Sequence, residues 1–381
     1  MLKNILINVG YIKVKDKIRL IVSITLVCIV ILSIFYVYRR FTRNAIQTLA
    51  ANKELINILV AASNDYNERR HSFYAIVHFN QEKSSIGVTF IPPNYLVTLN
   101  KRTGKAKRLN MLSFSDSNDI IDSLENDLHI TIPFYLELYG SDVVKIIDII
   151  EGVHLYILDQ VKPSSGFSRG VHYCDGKKTL WYINKVEHDS IYIKYDRIMD
   201  VVLTLFTNKE LYEKYNRKSY ISEMVSSLNT NLLIQEMLSL ADLVYDAKTV
   251  YTTIMPGKVD SNNNYTVDDI TRKLYEQNFL RPLVLGITDT ESIKVRILNG
   301  SDIPGLARKM RNVLTKEGLT VVEFGTSPYS IIDRTVIINQ KGNLNSALKV
   351  SSILGIDAMY HIVDSSQLAD VLVIVGKDYS Q

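Results

Sequence analysis

Four residues of metal-binding type lie near the middle of the chain. They are His172, Cys174, Asp175 and His188. Imidazole, thiolate and carboxylate groups are the usual ligands of zinc, and structural zinc sites hold them at short, regular spacings. The spacing here fits none of those patterns, and Asp175 precedes a glycine, as turn residues do. A structural role for the four residues is therefore favoured over a metal site, which stays the alternative.

A second cluster is strongly basic and surrounds the pair Thr103-Gly104. Its five cations are Lys101, Arg102, Lys105, Lys107 and Arg108. Charged residues around a Thr-Gly turn are typical of the solvated tip of a β-hairpin, which is the favoured interpretation. The alternative is a surface that contacts anionic lipid headgroups or an anionic wall polymer.

Composition and the remaining motifs exclude several classes of protein. Lys and Arg number 44 against 40 for Asp and Glu, which gives no whole-chain argument for nucleic-acid binding. Hydrophobic residues make up 46% and charged residues 22%, as in globular proteins. The C-terminal glycines lack the spacing of a dinucleotide-binding turn, and spacing alone identifies no Ser-His-Asp set.

Residues 20–38 form an apolar run without a charged side chain. As a helix this run is about 28 Å long, close to the thickness of a bilayer core. It continues into Tyr38-Arg39-Arg40 without the small-residue site at which signal peptides are cleaved. The run is therefore predicted to be an uncleaved single-pass anchor. Basic residues flank it on both sides, so the positive-inside rule only slightly favours a cytoplasmic N-terminus.

Strand-like and helix-like segments alternate beyond residue 56. Apolar runs rich in β-branched and aromatic residues predict strands at 57–62, 73–79, 86–90 and 95–99. Apolar residues at helical spacing predict helices at 117–128, 143–150, 199–206 and 223–245. The last of these is predicted to be one long amphipathic helix. Alternation of this kind is typical of an α/β layer architecture.

The last part of the chain shows a second, self-contained pattern. It follows the segment 281–292, whose Pro282 and Gly286 favour a linker. Strands are predicted at 293–298, 319–324, 335–339 and 370–375, and helices at 306–318 and around 347–354. The pattern predicts a small α/β domain of its own.

Both halves of the chain resemble known domains. VRILNGS at 295–301 and DVLVIVGKDY at 370–379 follow the pattern of the LytR C-terminal domain. Residues 57–281 resemble the LytR-CpsA-Psr (LCP) domain through less specific stretches, among them DIIEGV at 148–153 and Asp-Arg-Ile at 196–198. Together the two resemblances cover most of the chain outside the predicted anchor.

The resemblance implies a bacterial cell-envelope protein with an N-terminal membrane helix. The implied parts are a cytoplasmic tail at 1–19, a transmembrane anchor at 20–38, an LCP-like α/β/α sandwich at 57–281, a linker at 282–292 and a small α/β domain at 293–381. The chain is then expected in the cytoplasmic (inner) membrane, with its N-terminus in the cytoplasm and its bulk extracytoplasmic, facing the periplasm or wall.

Active members of the LCP family transfer a glycopolymer from a polyprenyl-pyrophosphate carrier to peptidoglycan. This chemistry needs arginines and a divalent metal to neutralise the pyrophosphate, and carboxylates to hold the metal. The residues that the resemblance places at pyrophosphate-binding positions are Arg70, Arg108, Lys185 and Arg197. Weak candidates for metal ligands are Asn64 and Asp65.

Most of the family's charged positions are changed in this sequence. Asn64 stands where the family has a metal-side aspartate, and Pro93-Asn94 replaces an arginine–aspartate pair. Asp200 stands where a second arginine would follow Arg197. Since a pyrophosphate would keep much uncompensated charge here, the site is predicted to be degenerate, as in a pseudoenzyme. No catalytic residue is assigned.

Two hypotheses about the function of this chain remain, one for a binding protein and one for an enzyme. The favoured hypothesis is a non-catalytic envelope protein that uses the LCP-like domain for binding or scaffolding in cell-wall maintenance. It needs no cofactor, and its partners are cell-wall glycan or envelope proteins, and the bilayer through the anchor, but not nucleic acid. The alternative is a divergent active phosphotransferase, which requires Mg²⁺ or Mn²⁺. Transcriptional regulation is disfavoured, because no helix-turn-helix accompanies the anchor.

Overall fold

The computed structural model describes residues 43–63, 73–99, 104–158, 167–184, 191–215, 218–286, 293–329, 331–364 and 366–380. The tail at 1–19 and the predicted anchor at 20–38 lie outside these ranges. Among the helices that the structure describes, none is both long and apolar enough to cross a bilayer. The described residues from Leu49 onward form one compact unit.

The strands of the described chain are β1 (Ile56–Ser63), β2 (Phe73–Asn80), β3 (Ser85–Phe90), β4 (Leu96–Leu99), β5 (Lys105–Arg108), β6 (Phe134–Tyr139), β7 (Val153–Ile157), β8 (Gly170–Cys174), β9 (Asn229–Thr230), β10 (Thr249–Ile254), β11 (Lys258–Val259), β12 (Tyr265–Thr266), β13 (Lys294–Asn299), β14 (Thr320–Thr326), β15 (Val336–Asn339), β16 (Met359–His361) and β17 (Val371–Val375).

The helices are α1 (Ala45–Ala51), α2 (Ser117–Leu128), α3 (Gly140–Ile149), α4 (Gly176–Asn184), α5 (Ile191–Thr207), α6 (Lys209–Tyr215), α7 (Lys218–Val225), α8 (Ile234–Tyr245), α9 (Asp269–Tyr275), α10 (Arg281–Leu285), α11 (Leu306–Lys316) and α12 (Leu344–Leu354). A π-helical turn at Glu276–Leu280 joins α9 to α10, which occupies the start of the predicted linker.

The main sheet has the strand order β10-β3-β2-β1-β6-β9. Strands β1, β2 and β3 pair antiparallel, whereas β6 and β10 run parallel to their neighbours β1 and β3. Alternate residues of a strand face opposite sides, so Tyr74 and Ile76 of β2 pack with α2, while Phe73 and Ala75 pack with α5. Helices therefore cover both faces of the sheet.

The second sheet has the strand order β14-β13-β17-β15-β16. Strand β17 lies at its centre with all five residues buried. Helices α11 and α12 pack on one face of this sheet, where Met310 and Leu314 of α11 meet Ala347 and Val350 of α12 in one hydrophobic cluster. The mixed α/β composition predicted from the sequence is confirmed in both sheets.

The C-terminal part packs directly against the main sheet. Leu344 and Val363 join the hydrophobic cluster that Phe73 and Phe90 of the main sheet form with Tyr195 of α5. The rings of Tyr156 in β7 and Tyr360 in β16 also lie 4.9 Å apart, centroid to centroid. The face of the main sheet that carries α5 is thus covered partly by the C-terminal part.

The long helix predicted at 223–245 is wrong. The structure ends α7 at Val225 and starts α8 at Ile234, and Asn229–Thr230 between them pair with β6 as strand β9. The break has a local cause, since the Asn231 side chain accepts from the Tyr135 backbone N–H at 3.0 Å and donates to the Pro133 carbonyl at 2.8 Å. Polar side chains that bond to backbone compete with the helix here.

Candidate functional site

The structure describes two of the four predicted pyrophosphate-binding residues, Arg108 and Arg197. Arg70 and Lys185 lie outside the described residues, as do the two metal-ligand candidates Asn64 and Asp65.

Arg108 closes the strand pair β4–β5 and is engaged by a neighbouring turn. The pairing of β4 with β5 confirms the predicted hairpin, whose tip residues Lys101 and Arg102 lie outside the described ranges. The Arg108 Nε atom donates to the Asn264 side-chain oxygen at 3.0 Å, and an Nη atom donates to the Asn262 carbonyl. Among the described residues, Arg108 and Arg197 share no hydrogen-bond partner.

Arg197 lies on α5, one helical turn before Asp200. Its Nη1 atom is 2.8 Å from Asp200 Oδ2 and 2.8 Å from the Tyr182 hydroxyl oxygen. Its guanidinium also lies over the Tyr182 ring, 5.2 Å from the centroid. The Arg197 side chain keeps 31% of its surface exposed, whereas Asp200 has none. Arg197 is thus held by a buried carboxylate of its own helix.

Asp200 accepts hydrogen bonds from three directions. The Tyr182 hydroxyl and Arg197 donate to Oδ2, and the Val363 backbone N–H donates to Oδ1 at 2.5 Å. Tyr182 comes from α4, Arg197 and Asp200 from α5, and Val363 from the segment after β16. We call these four residues the Asp200 cluster. It joins the LCP-like part to the C-terminal part through a buried carboxylate.

Burial and charge fix the protonation states in the Asp200 cluster. Burial raises the pKa of Asp200 to about 6, although the charge of Arg197 and the three hydrogen bonds oppose this rise. Burial, and next the charge of Asp200, raise the pKa of Tyr182 well above its usual value, so the hydroxyl stays protonated and donates. Burial lowers the pKa of Arg197, but the charge of Asp200 and the contacts with Asp200 and Tyr182 together more than offset this effect, and the guanidinium stays charged.

A second carboxylate, Asp364, acts on the same arginine. Burial raises the pKa of Asp364, but hydrogen bonds from Ser366 and Gln367 and the charge of Arg197 lower it overall. An anion that approached Arg197 would therefore meet the field of two carboxylates. Such a field opposes pyrophosphate binding, which needs uncompensated positive charge.

The described residues do not fit a divalent metal. No three His, Cys, Asp or Glu side chains of the described ranges come together in a way that could hold an ion. Asp200 has its oxygens occupied by three donors, so it cannot serve as a metal ligand in this arrangement. We therefore derive no metal-dependent step from this part of the chain.

The metal-binding residue types around 172–175 serve other contacts. His172 lies on β8 with its Nε2 atom 2.6 Å from the Ser168 carbonyl oxygen. Burial raises the pKa of the Cys174 thiol to about 11, so this thiol is protonated at neutral pH. Asp175 accepts from the Lys178 backbone N–H at 2.8 Å, at the start of α4. His188 lies outside the described residues.

Asp200 is identified from the sequence as a change from arginine but is missed there as the partner of Arg197. The signal was present, because opposite charges three residues apart on a helix face each other. The roles of Tyr182 and Val363 had no such signal, since each lies on another element and only the tertiary fold brings them to Asp200.

Comparisons with known proteins agree with the architecture. Residues 292–379 match the family model described as LytR cell envelope-related transcriptional attenuator. The chain therefore carries a LytR C-terminal domain, as the sequence predicted. A search of curated proteins returns no significant match.

Solved structures of LCP proteins resemble 62% of the chain. TagV of B. subtilis is 19% identical, with 62% of this chain and 99% of that chain covered and a TM-score of 0.50. The similarity to TagV shows a shared LCP-like fold. TagT bound to LI-WTA is 17% identical, with 62% and 92% covered and a TM-score of 0.49. Putative transcriptional regulator ywtF from Bacillus subtilis is 16% identical, with the same coverage and TM-score.

Proposed function

We propose that this chain is a membrane-anchored, extracytoplasmic cell-envelope protein whose LCP-like domain binds or scaffolds without catalysing transfer. The proposed parts are a cytoplasmic tail at 1–19, an anchor at 20–38, an LCP-like domain at 57–281, a linker at 282–292 and a LytR C-terminal domain at 293–381. Its role is in cell-wall maintenance, through contacts with wall glycan or envelope proteins.

The pairing of Arg197 with Asp200 carries this proposal. A phosphotransferase of the LCP type must present positive charge to a pyrophosphate, because charge develops there as the phosphoanhydride bond breaks. In this chain the surviving arginine is neutralised by a carboxylate that stands where the family has a second arginine. The exchange reverses the charge at that position and occupies the remaining guanidinium.

The C-terminal part supports the same conclusion. Val363 donates to Asp200, and Asp364 adds a second negative charge beside Arg197. Moving Arg197 toward a ligand would break its ion pair and leave Asp200 buried without a cation, which is costly. The cluster is therefore suited to holding the two parts of the chain together.

The test is a phosphotransfer assay on the full chain in nanodiscs. The chain is mixed with a short-chain polyprenyl-pyrophosphate oligosaccharide and a peptidoglycan acceptor, with Mg²⁺, with Mn²⁺ and without metal. An active LCP phosphotransferase in the same nanodiscs is the positive control. We expect no polyprenyl phosphate above the level of empty nanodiscs under any of the three conditions.

Metal-dependent release of polyprenyl phosphate would overturn the non-catalytic proposal in favour of the divergent phosphotransferase. Arg70→Met and Lys185→Met variants would then show whether these candidates rebuild the site. The proposed orientation has its own test, in which an impermeant protease is added to spheroplasts carrying a C-terminally tagged chain. We expect loss of the tag, and a protected tag would contradict an extracytoplasmic bulk.

A further inference from the structure

Helix α11 of the C-terminal domain presents an unusually basic surface. Its apolar residues Leu306, Ala307, Met310 and Leu314 are buried in the core of that domain. Its cations are all exposed and comprise Arg308, Lys309, Arg311 and Lys316. The helix holds no acidic residue. We call the surface formed by these four cations the α11 cationic face.

The four cations of this face have no acidic partner among the residues that the structure describes. Two of them lie instead over aromatic rings. The Arg311 guanidinium is 4.7 Å from the centroid of Phe324, and the Lys309 ammonium is 5.6 Å from that of Tyr379. A ring attracts a cation without neutralising it. These contacts hold the side chains in place while their charge stays available to a ligand.

An irregularity in strand β14 places Phe324 under Arg311. Val295 of β13 pairs with Val321 of β14, but the next residue, Arg296, pairs with Glu323, so one residue of β14 is extra at this point. Beyond the bulge, Phe324 pairs with Ile297, whose side chain belongs to the cluster beneath α11. The bulge therefore sets which side chains of β14 face the helix.

The same bulge turns the acidic residue of β14 away from α11. Glu323 faces the opposite side of the sheet, where Arg296 Nε lies 2.9 Å from its Oε2 atom. If β14 alternated regularly from Val321 through Val322, Glu323 would face the helix side. The local backbone thus keeps negative charge off the α11 cationic face.

We propose that the α11 cationic face binds an anionic polymer of sugars or polyols joined by phosphodiesters. The outermost cations, Arg308 and Lys316, are about 12 Å apart along the helix axis, which suits successive charges on an extended chain. Arginine forms strong, charge-assisted hydrogen bonds with phosphate oxygens. Asn312 and Thr315 lie between the cations and are exposed, and they can bond to hydroxyl groups of the polymer.

Other partners suit this face less well. A helix that lies in a bilayer surface inserts apolar side chains, but those of α11 are buried in the domain. A single-stranded nucleic acid needs open aromatic faces for its bases, and Arg311 covers that of Phe324. A second copy of this chain would bring like charges together. The choice of a wall-type polymer also rests on the proposed extracytoplasmic location.

The test uses the full chain in nanodiscs of zwitterionic lipid and a fluorescent decamer of glycerol phosphate as the probe. Binding is followed by fluorescence anisotropy at about 50 mM and about 200 mM salt, and it should weaken at the higher salt. We expect the Arg308→Glu/Arg311→Glu variant to weaken binding by about tenfold or more. The Arg308→Lys/Arg311→Lys variant should keep binding within about threefold, because the charges remain.

The Lys248→Glu/Lys349→Glu variant is the matched control. It changes the net charge equally at two exposed lysines outside the α11 cationic face, and it should bind like the wild type. Thermal unfolding of each variant verifies that the chain is folded. The proposal is overturned if the arginine variant binds the decamer as well as the wild type, or if the control weakens binding equally. It is also overturned if a single-stranded oligonucleotide of equal charge or phosphatidylglycerol vesicles bind as tightly as the decamer.

This outcome is separable from that of the phosphotransfer assay. A chain that binds the decamer through the α11 cationic face but also releases polyprenyl phosphate would overturn the non-catalytic proposal alone. A chain without transfer activity whose binding is unaffected by Arg308→Glu/Arg311→Glu would overturn the polymer site alone.

Discussion

Asp200 and Val363 lie 163 residues apart in the chain, and the Val363 backbone N–H donates a hydrogen bond to Asp200 Oδ1. The other carboxylate oxygen of Asp200 binds Arg197 and Tyr182. One buried side chain therefore connects Arg197 of the LCP-like part with the backbone of the LytR C-terminal domain. The stability of the LCP-like part and the attachment of the C-terminal domain should depend on the same few contacts.

Replacing Arg197 by methionine should destabilise the chain more than replacing Asp200 by asparagine. Asp200 is fully buried, whereas 31% of the Arg197 side chain is exposed, so only an unpaired Arg197 can reach water. Removing one partner of a buried ion pair costs about 3–5 kcal/mol. We expect the free energy of unfolding at pH 8 to fall by that amount in Arg197→Met and by clearly less in Asp200→Asn. Urea unfolding measures both values.

Arg308→Met is the control for this comparison. Arg308 is an exposed arginine without an acidic partner among the described residues, so its replacement should change stability by less than about 0.5 kcal/mol. The Arg197→Met/Asp200→Asn double variant should recover part of the loss, because no charge is then left unpaired. A loss in Asp200→Asn equal to or greater than that in Arg197→Met would contradict the asymmetry.

Asp200 should also give the chain a distinctive pH dependence. Burial raises its pKa from 3.8 to about 6, so the folded chain holds this proton more tightly than the unfolded chain does. Its contribution to stability is greatest below about pH 4 and falls as the pH rises to about 6. The difference between the two pKa values corresponds to about 3 kcal/mol in the free energy of unfolding.

The Asp200→Asn variant isolates this effect, since it lacks the titrating group and keeps all others. The free energy of unfolding of the wild type minus that of the variant is measured at steps from pH 4 to pH 7. We expect this difference to decrease as the pH rises and to level off above about pH 6. A constant difference, or one that grows with pH, would show that burial does not control Asp200.

Much of the fold could be predicted from local patterns in the sequence. The helix predicted at 117–128 has the bounds of α2, because an uninterrupted stripe of apolar residues at helical spacing has one low-energy solution. The helix predicted at 223–245 failed because its apolar spacing continues across Asn229–Asn231, where the side chains of Thr230 and Asn231 bind backbone groups of Tyr135 in β6 and of Pro133 just before it. That competition depends on β6 and cannot be read from the segment itself.

The candidate site was less predictable than the fold. The sequence identifies Arg197 as a candidate and Asp200 as a change from arginine, but it does not join the two in one site. That the two form a pair follows from their positions on one helix. The hydrogen bond from the Val363 backbone N–H to Asp200 depends on the packing of the two sheets. No local pattern of the sequence encodes this contact.

His361 should make the attachment of the two parts sensitive to acid. Burial lowers the pKa of His361 to about 3, and its Nε2 atom lies 3.3 Å from the Thr207 hydroxyl oxygen at the end of α5. The folded chain therefore resists protonation that the unfolded chain accepts below about pH 6.5. The stability contributed by neutral His361 is complete above that pH and is lost progressively as the pH falls toward 3.

At pH 5 the protonation of His361 in the unfolded chain should lower the free energy of unfolding by about 2 kcal/mol. His361→Gln keeps a hydrogen-bonding side chain that does not titrate, and His78, a second histidine buried within the described ranges, is unchanged in both proteins. The stability of the wild type relative to this variant should therefore decrease between pH 7 and pH 5. A relative stability that stays flat over this range would contradict a buried neutral imidazole.

The shared core predicts that the LCP-like part and the C-terminal domain unfold together. Val363 and Leu344 pack in one cluster with Phe73 and Tyr195, so each part loses buried apolar contacts when the other unfolds. Differential scanning calorimetry of the wild type should show one main transition for the two parts. Val363→Pro removes the N–H that binds Asp200 and should lower stability by about 1–3 kcal/mol or separate the transition into two.

Val363→Ala is the matched variant, because it loses side-chain packing but keeps the N–H. Only Val363→Pro should raise the pKa of Asp200 further, since the backbone hydrogen bond lowers it in the wild type. The pH at which stability levels off should therefore move upward in Val363→Pro and stay in place in Val363→Ala. Two separate transitions in the wild type, or the same pH profile in both variants, would show that Asp200 does not link the two parts.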